Sequence, residues 1–224
     1  MEFIEEIDRK IQKKHLLNHP FYQAWSEGRL SKETLKSYAL SYFPHVEAFP
    51  TYLSALHSHT EDRKVRKELL KNLMEEEGGT PNHPDLWATF AFSLGVTQEE
   101  LYNQPPCPEI AHLITTFRKI CLEGSVEEGL AALYAYESQI PPICISKIQG
   151  LKKYYNMQDP EAWRYFSVHI EADQEHAAVE RGLLEHFLRG EVKERVHAAV
   201  DAVLDALWNF LSRYNKEYTC LEMG

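Results

Sequence analysis

The stretch HIEADQEH sets His169, Asp173 and His176 at i, i+4 and i+7. In an α-helix that spacing puts all three side chains on one face. Carried backwards, the same stripe holds Ala162 and Phe166, and carried forwards it holds Leu183 and Phe187. The polar triplet therefore interrupts an apolar stripe and is expected to point inward, while Glu171, Gln174 and Glu175 fall on other faces. An aspartate buried beside two histidines costs several kcal/mol unless its charge and hydrogen bonds are compensated. A divalent iron or manganese ion compensates directly, because neutral imidazole and carboxylate are both good ligands for it. A hydrogen-bonded polar network or a solvated groove is the alternative.

Two further segments carry residues of the same kind. In SVEEGLAALYAYESQIPPICISKI, Glu137 stands at i+7 from Leu130, i+4 from Leu133 and i+3 from Tyr134, on the apolar side of its helix. Glu127 and Glu128 need no such explanation, since acidic residues suit a helix N-terminus. In MEEEGGTPNH, periodicity leaves both Glu76 and Glu77 as inward candidates, and His83 follows a glycine break that can curl its side chain back. Three helical segments thus offer three carboxylates and three histidines. That set matches a dinuclear carboxylate site, whose ligands project inward from facing helices. The ferritin-type Glu-x-x-His pair on two helices is absent.

The elements that must position these residues read as helical almost throughout. Leu35, Tyr38, Ala39, Tyr42, Val46, Phe49 and Leu53 recur at three- and four-residue steps. Pro44 and Pro50 should kink that helix without ending it. On the next helix Val65, Leu69, Leu70, Leu73 and Met74 are expected on one side. Thr97 with Glu100, and Ser125 with Glu128, have capping-box spacing. Asp159 before Pro160 reads as an N-cap with proline in the first helical position. Helices are predicted near 2–18, 31–59, 61–77, 84–95, 108–122, 126–154, 160–189 and 191–217. No Gly/Ser-rich linker, internal repeat or hairpin turn divides the chain, so one all-α domain over 1–224 is expected.

Composition narrows the function. Of 224 residues, 44% are hydrophobic, enough for a sizeable core. Asp and Glu exceed Lys and Arg by 34 to 24, a formal charge of −10 that argues against a nucleic-acid surface. No apolar run nears the roughly 20 residues needed to cross a bilayer, and MEFIEEIDRK is too charged for a signal peptide. A cytoplasmic protein with free thiols at Cys107, Cys121, Cys144 and Cys220 is expected, with neither nucleic acid nor membrane as a partner.

The segments HPFYQAW, YLSALHSH, NLMEEEGGTPNHPDLW, AALYAYESQIP and HIEADQEHA resemble those of the CADD proteins, named in Chlamydia for association with death domains. That family lies within the TenA/PqqC group of haem-oxygenase-like folds. The similarity runs from about residue 8 to about 210, leaving the last dozen residues as an unrelated tail. The resemblance implies a bundle of seven or eight helices around two transition-metal ions, iron alone or iron with manganese, with O₂ as co-substrate. The positions that match the family's ligands are Glu76, His83, Glu137, His169, Asp173 and His176, which selects Glu76 over Glu77. The implied activity is synthesis of para-aminobenzoate for folate, with a ring taken from the protein's own Tyr22 and Lys147 as the amine-linked participant. Read without the resemblance, Tyr22 is an ordinary core aromatic and Lys147 a solvated residue near a helix end. For Tyr22 to serve, HPFYQAW must pack against the inward faces of the last two helices. A homodimer, binding to death-domain proteins, and export into a host were the source a pathogen are further implications.

Other members of the group imply other chemistry. A TenA-type thiaminase needs a cysteine nucleophile, and only Cys144 shares the Glu137 helix. A PqqC-type oxidase holds a polyacidic quinone precursor without metal, which so many carboxylates would repel unless metals neutralised them. A haem oxygenase leaves Glu137 and Asp173 without a purpose. A helical interaction protein that presents its faces to death domains is the non-enzymatic alternative.

Overall fold

Proline and glycine mark several helix ends in this chain, with Gly78 and Gly124 at C-termini and Pro20, Pro84 and Pro108 in first turns. The computed structural model describes residues 2–187 and 192–214. The α-helices are α1 (Glu2–Lys13), α2 (Pro20–Ser26), α3 (Lys32–His59), α4 (Arg63–Glu77), α5 (His83–Ser93), α6 (Gln98–Asn103), α7 (Pro108–Glu123), α8 (Val126–Glu137), α9 (Ile140–Tyr154), α10 (Arg164–Phe187) and α11 (Lys193–Ser212). No strand occurs among the described residues. Cys220 and most of the expected tail lie outside them, as do 188–191, where the last two predicted helices were to meet. Cys107, Cys121 and Cys144 are free thiols, and no helix is long and apolar enough to cross a membrane.

The fold is all-α as expected, with more and shorter helices than the predicted eight. The stretch predicted as one helix over 126–154 is two. Pro141 and Pro142 have no N–H to give to the carbonyls of Glu137 and Ser138, so α8 ends at Glu137 and α9 restarts with the prolines in its first turn. HPFYQAW forms its own short helix, α2, opened by the His19 side chain accepting from the Phe21 N–H. The Thr97–Glu100 capping box is present and starts α6, although no helix was placed there. Asp159 caps a 3₁₀ turn that leads into α10. The α3 helix runs unbroken through both prolines.

Helix α8 is the axis of the molecule. Every residue from Gly129 to Glu137 is buried, as suits a helix apolar all round, and α7, α10 and α11 pack against it. A Cβ on Gly129 would lie 2.5 Å from Leu56 Cδ1, so glycine is what lets α3 come this close. Helix α4 corrects the predicted stripe. Its buried face is Val65, Leu69, Asn72 and Glu76, while Leu70 and Met74 face outward. Polar Asn72 and Glu76 take the inner positions because they meet polar partners there.

Candidate metal centre

Four helices meet at the polar heart of this core. Glu76 lies in the last turn of α4, Glu137 ends α8, and His169, Asp173 and His176 lie along α10; all are buried. His83 is the first residue of α5. Its place is fixed by a reciprocal capping box, in which Asp85 N–H donates to Asn82 Oδ1 at 2.9 Å and Asn82 N–H to Asp85 Oδ2 at 3.2 Å. Glu77 is exposed, so burial and resemblance agree on Glu76. The six side chains form two trios, Glu76–His83–His169 and Glu137–Asp173–His176. In each trio one ligand atom per residue lies within 4.8 Å of the others.

The imidazoles are set by partners behind them. His169 Nδ1 lies 2.6 Å from the Tyr165 carbonyl, which fixes a proton on Nδ1 and leaves the Nε2 lone pair facing Glu76 Oε1 at 3.8 Å. His176 Nε2 lies 2.9 Å from Glu75 Oε2, so Nδ1 faces Glu137 at 3.3 Å and Asp173 at 3.5 Å. A histidine that ligates metal through one nitrogen almost always donates from the other in this way. Asn72 Nδ2 donates to Glu137 Oε1 at 2.9 Å. Asn72 and Glu75 were not selected from the sequence, though both lie on the face of α4 that carries Glu76.

These groups leave each other unsatisfied, and that tests whether a cation fits. His83 Nδ1 is only 2.9 Å from Glu76 Oε2, yet it makes no hydrogen bond. His176 Nδ1 and Glu137 Oε2 are likewise buried without a partner. Acceptors turned toward acceptors in a dry interior are what divalent ions satisfy, and imidazole with carboxylate is a donor set that suits iron or manganese. The residues fit two such ions. Protons do the same work less well. Burial disfavours charge on His176, but Asp173 and Glu137 outweigh it and raise its pKa to about 11. Burial holds Asp173 well above the carboxylate range. Burial and the neighbouring His83 push His169 well below the imidazole range.

A phenol-lined path leaves the centre. Tyr136 and Tyr165 wall a cavity shared by Glu76, Glu137, His169 and Asp173, with room for about one water-sized molecule. Tyr136 Oη lies 2.9 Å from Tyr42 Oη, and the Tyr42 and Tyr38 rings stack at 5.5 Å. Tyr38 Oη is 3.2 Å from Tyr22 Oη and accepts from Lys147 Nζ at 2.8 Å. Lys147 is buried rather than solvated, 5.3 Å from the Tyr22 ring centroid, and burial lowers its pKa to about 8. Tyr22 packs against α3 and α9. Its neighbours His19 and Phe21 touch the end of α11, through Ser212 and Tyr214. The route to Tyr22 thus runs through α3, and the expected contact of HPFYQAW with the last two helices is made at the end of α11. Tyr134 turns away from the path and donates to Asp8 at 2.7 Å.

Residues 36–208 match the model of a family described as iron-containing redox enzymes. The chain is 46% identical over 212 residues to the 4-aminobenzoate synthase of Chlamydia pneumoniae, covering 95% of this chain and 94% of that one. It is 45% identical to the 4-aminobenzoate synthase of Nitrosomonas europaea, with 96% and 92% covered. A solved TenA homologue from Pseudomonas syringae superposes with a TM-score of 0.81 at 19% identity, covering 96% of this chain and 93% of that one.

Proposed function

The chain belongs to the family of iron-containing redox enzymes, and from that premise we propose that it is an O₂-dependent 4-aminobenzoate synthase that uses its own Tyr22. In this reading Glu76, His83 and His169 hold one ion, and Glu137, Asp173 and His176 hold the other. The pair is iron with iron or iron with manganese. When bound, it supplies the electrons that reduce O₂ and the oxidising power to take electrons from a phenol.

The observation that carries the reading is the continuity between the two trios and Tyr22. A phenol is among the easiest side chains to oxidise, and Tyr136 at the cavity wall is joined through Tyr42 and Tyr38 to Tyr22. Carbon for carbon, the ring and Cβ of tyrosine correspond to the ring and carboxyl carbon of 4-aminobenzoate; the hydroxyl must give way to an amine, the Cα–Cβ bond must break, and Cβ must be oxidised to the carboxylate with O₂ as the oxidant. Lys147 is the amine at hand. With a pKa near 8, its Nζ carries a lone pair in about a tenth of molecules at pH 7, far more than an ordinary lysine, and in that form takes up the proton that Tyr22 releases through Tyr38 Oη. Burial of the whole path keeps water from the oxidised phenols.

The test is metal-dependent turnover. Protein freed of metal and reloaded with Fe²⁺, with or without Mn²⁺, should consume O₂ and release 4-aminobenzoate; zinc-loaded protein should do neither. Oxygen uptake without 4-aminobenzoate under every loading would refute the assigned product.

A further inference from the structure

Among the described residues, Glu180 is the one buried carboxylate beside the centre that the six-ligand set does not use. It follows His176 by one helical turn and continues the stripe of His169, Asp173 and His176. The residue is 4% exposed, and neither of its oxygens has a hydrogen-bond donor. Its neighbours are the Glu137 and Asp173 carboxylates. A structural carboxylate buried this deeply is expected to face an arginine, a lysine or several N–H groups. Glu180 faces acids.

Charge explains what packing does not. Neutral histidines add nothing, so Glu76, Glu137 and Asp173 leave two divalent ions with one positive charge uncompensated before any small ligand binds. Glu180 brings the sum to zero. In a low-dielectric interior that difference is large. Glu75 is a poor substitute, because it is one-third exposed and lies 3.9 Å from Lys71. Glu180 also lines a crevice between α4, α8 and α10 that His176, Asn72 and the surface residues Lys71 and Glu175 share. Glu137 and Asp173 do not line that crevice.

We propose that Glu180 is a fourth metal-binding carboxylate of the centre, joining Glu137, Asp173 and His176. It stands next to that trio rather than within it, as the electrostatic neighbour of Glu137 and Asp173. The two halves then differ in kind. One has one carboxylate and two imidazoles, the other three carboxylates and one imidazole, and the oxygen-rich half is the one that suits manganese.

The inference rests on the proposed dimetal reading, and the experiment separates the two. Mn²⁺ is titrated into metal-free wild type, E180Q and E180D while free Mn²⁺ is followed by electron paramagnetic resonance and melting is recorded with and without metal. Wild type should bind two ions. E180Q should bind one of them about 10- to 100-fold more weakly, with E180D recovering part of the loss. The metal-free melting temperature of E180Q should equal or exceed that of wild type, while its rise on adding Mn²⁺ shrinks. Equal affinities in wild type and E180Q, or melting lowered equally with and without metal, would overturn the inference alone. Failure of wild type to bind two ions would overturn the dimetal reading as well.

Discussion

Replacing either His169 or Asp173 by alanine should remove at least one of two bound ions, since each is buried among ligands that depend on it for compensation. Metal analysis of protein purified without chelator checks this, and wild-type content in both variants would make the triplet structural. Lys147 gives a second expectation at this scale. Its folded pKa of about 8 lies below the ordinary 10.5 because burial disfavours the charged amine. Between those values the unfolded chain holds the extra proton, so stability from this group rises with pH across the window, by about 3 kcal/mol in all. The K147M variant should therefore unfold at higher denaturant than wild type at pH 7, with the gain fading by pH 10.5. A gain independent of pH would mean that Lys147 is not buried as an amine. The ligand triplet was legible because carboxylate and imidazole interrupt an apolar period. Lys147 was not, because nothing in ICISKIQG distinguishes an inward lysine from a solvated one. Glu180 lies one step further along a stripe already recognised, at the spacing that identified its neighbours.

Elements place these residues by their ends more than by their middles. Helix α8 stops at Glu137 because two prolines follow, and α5 starts at His83 because Asn82 and Asp85 cap it. Removing the cap with N82A should cost about 1 kcal/mol and weaken the Glu76–His83–His169 ion more than the other, which metal titration of the variant would read. Equal weakening of both ions would detach the cap from the site. Close contact between α2 and α9 holds Tyr22 over Lys147. A Cβ on Gly150 would lie 2.7 Å from the Trp25 ring, whose Nε1 donates to the Lys147 carbonyl at 3.2 Å. Overpacking of that kind typically costs about 1–3 kcal/mol, so G150A should lower thermal stability and, by pushing α2 outward, cut product formation further than the stability loss explains. Wild-type behaviour would show that α2 has room to spare. Capping boxes and long apolar stripes made most helices legible. The short α2 and α6 were not, since each has too few turns to carry a period.

At the scale of the whole molecule, the bundle keeps the trios, the phenols and the lysine in one water-poor interior. Its all-α class was readable from spacing alone. The connection from the centre to Tyr22 was not, since it passes through tyrosines of α3 and α8 that sequence treats as ordinary core. The central claim is that the product's ring is Tyr22 of the chain itself. The direct test is to prepare the protein with ring-¹³C-labelled tyrosine, load it with iron and manganese, expose it to O₂ in unlabelled buffer, and analyse the released 4-aminobenzoate by mass spectrometry beside an equally labelled Y22F variant. The account predicts labelled product from wild type and none from Y22F, with metals and fold retained. Unlabelled product, or labelled product from Y22F, would contradict it.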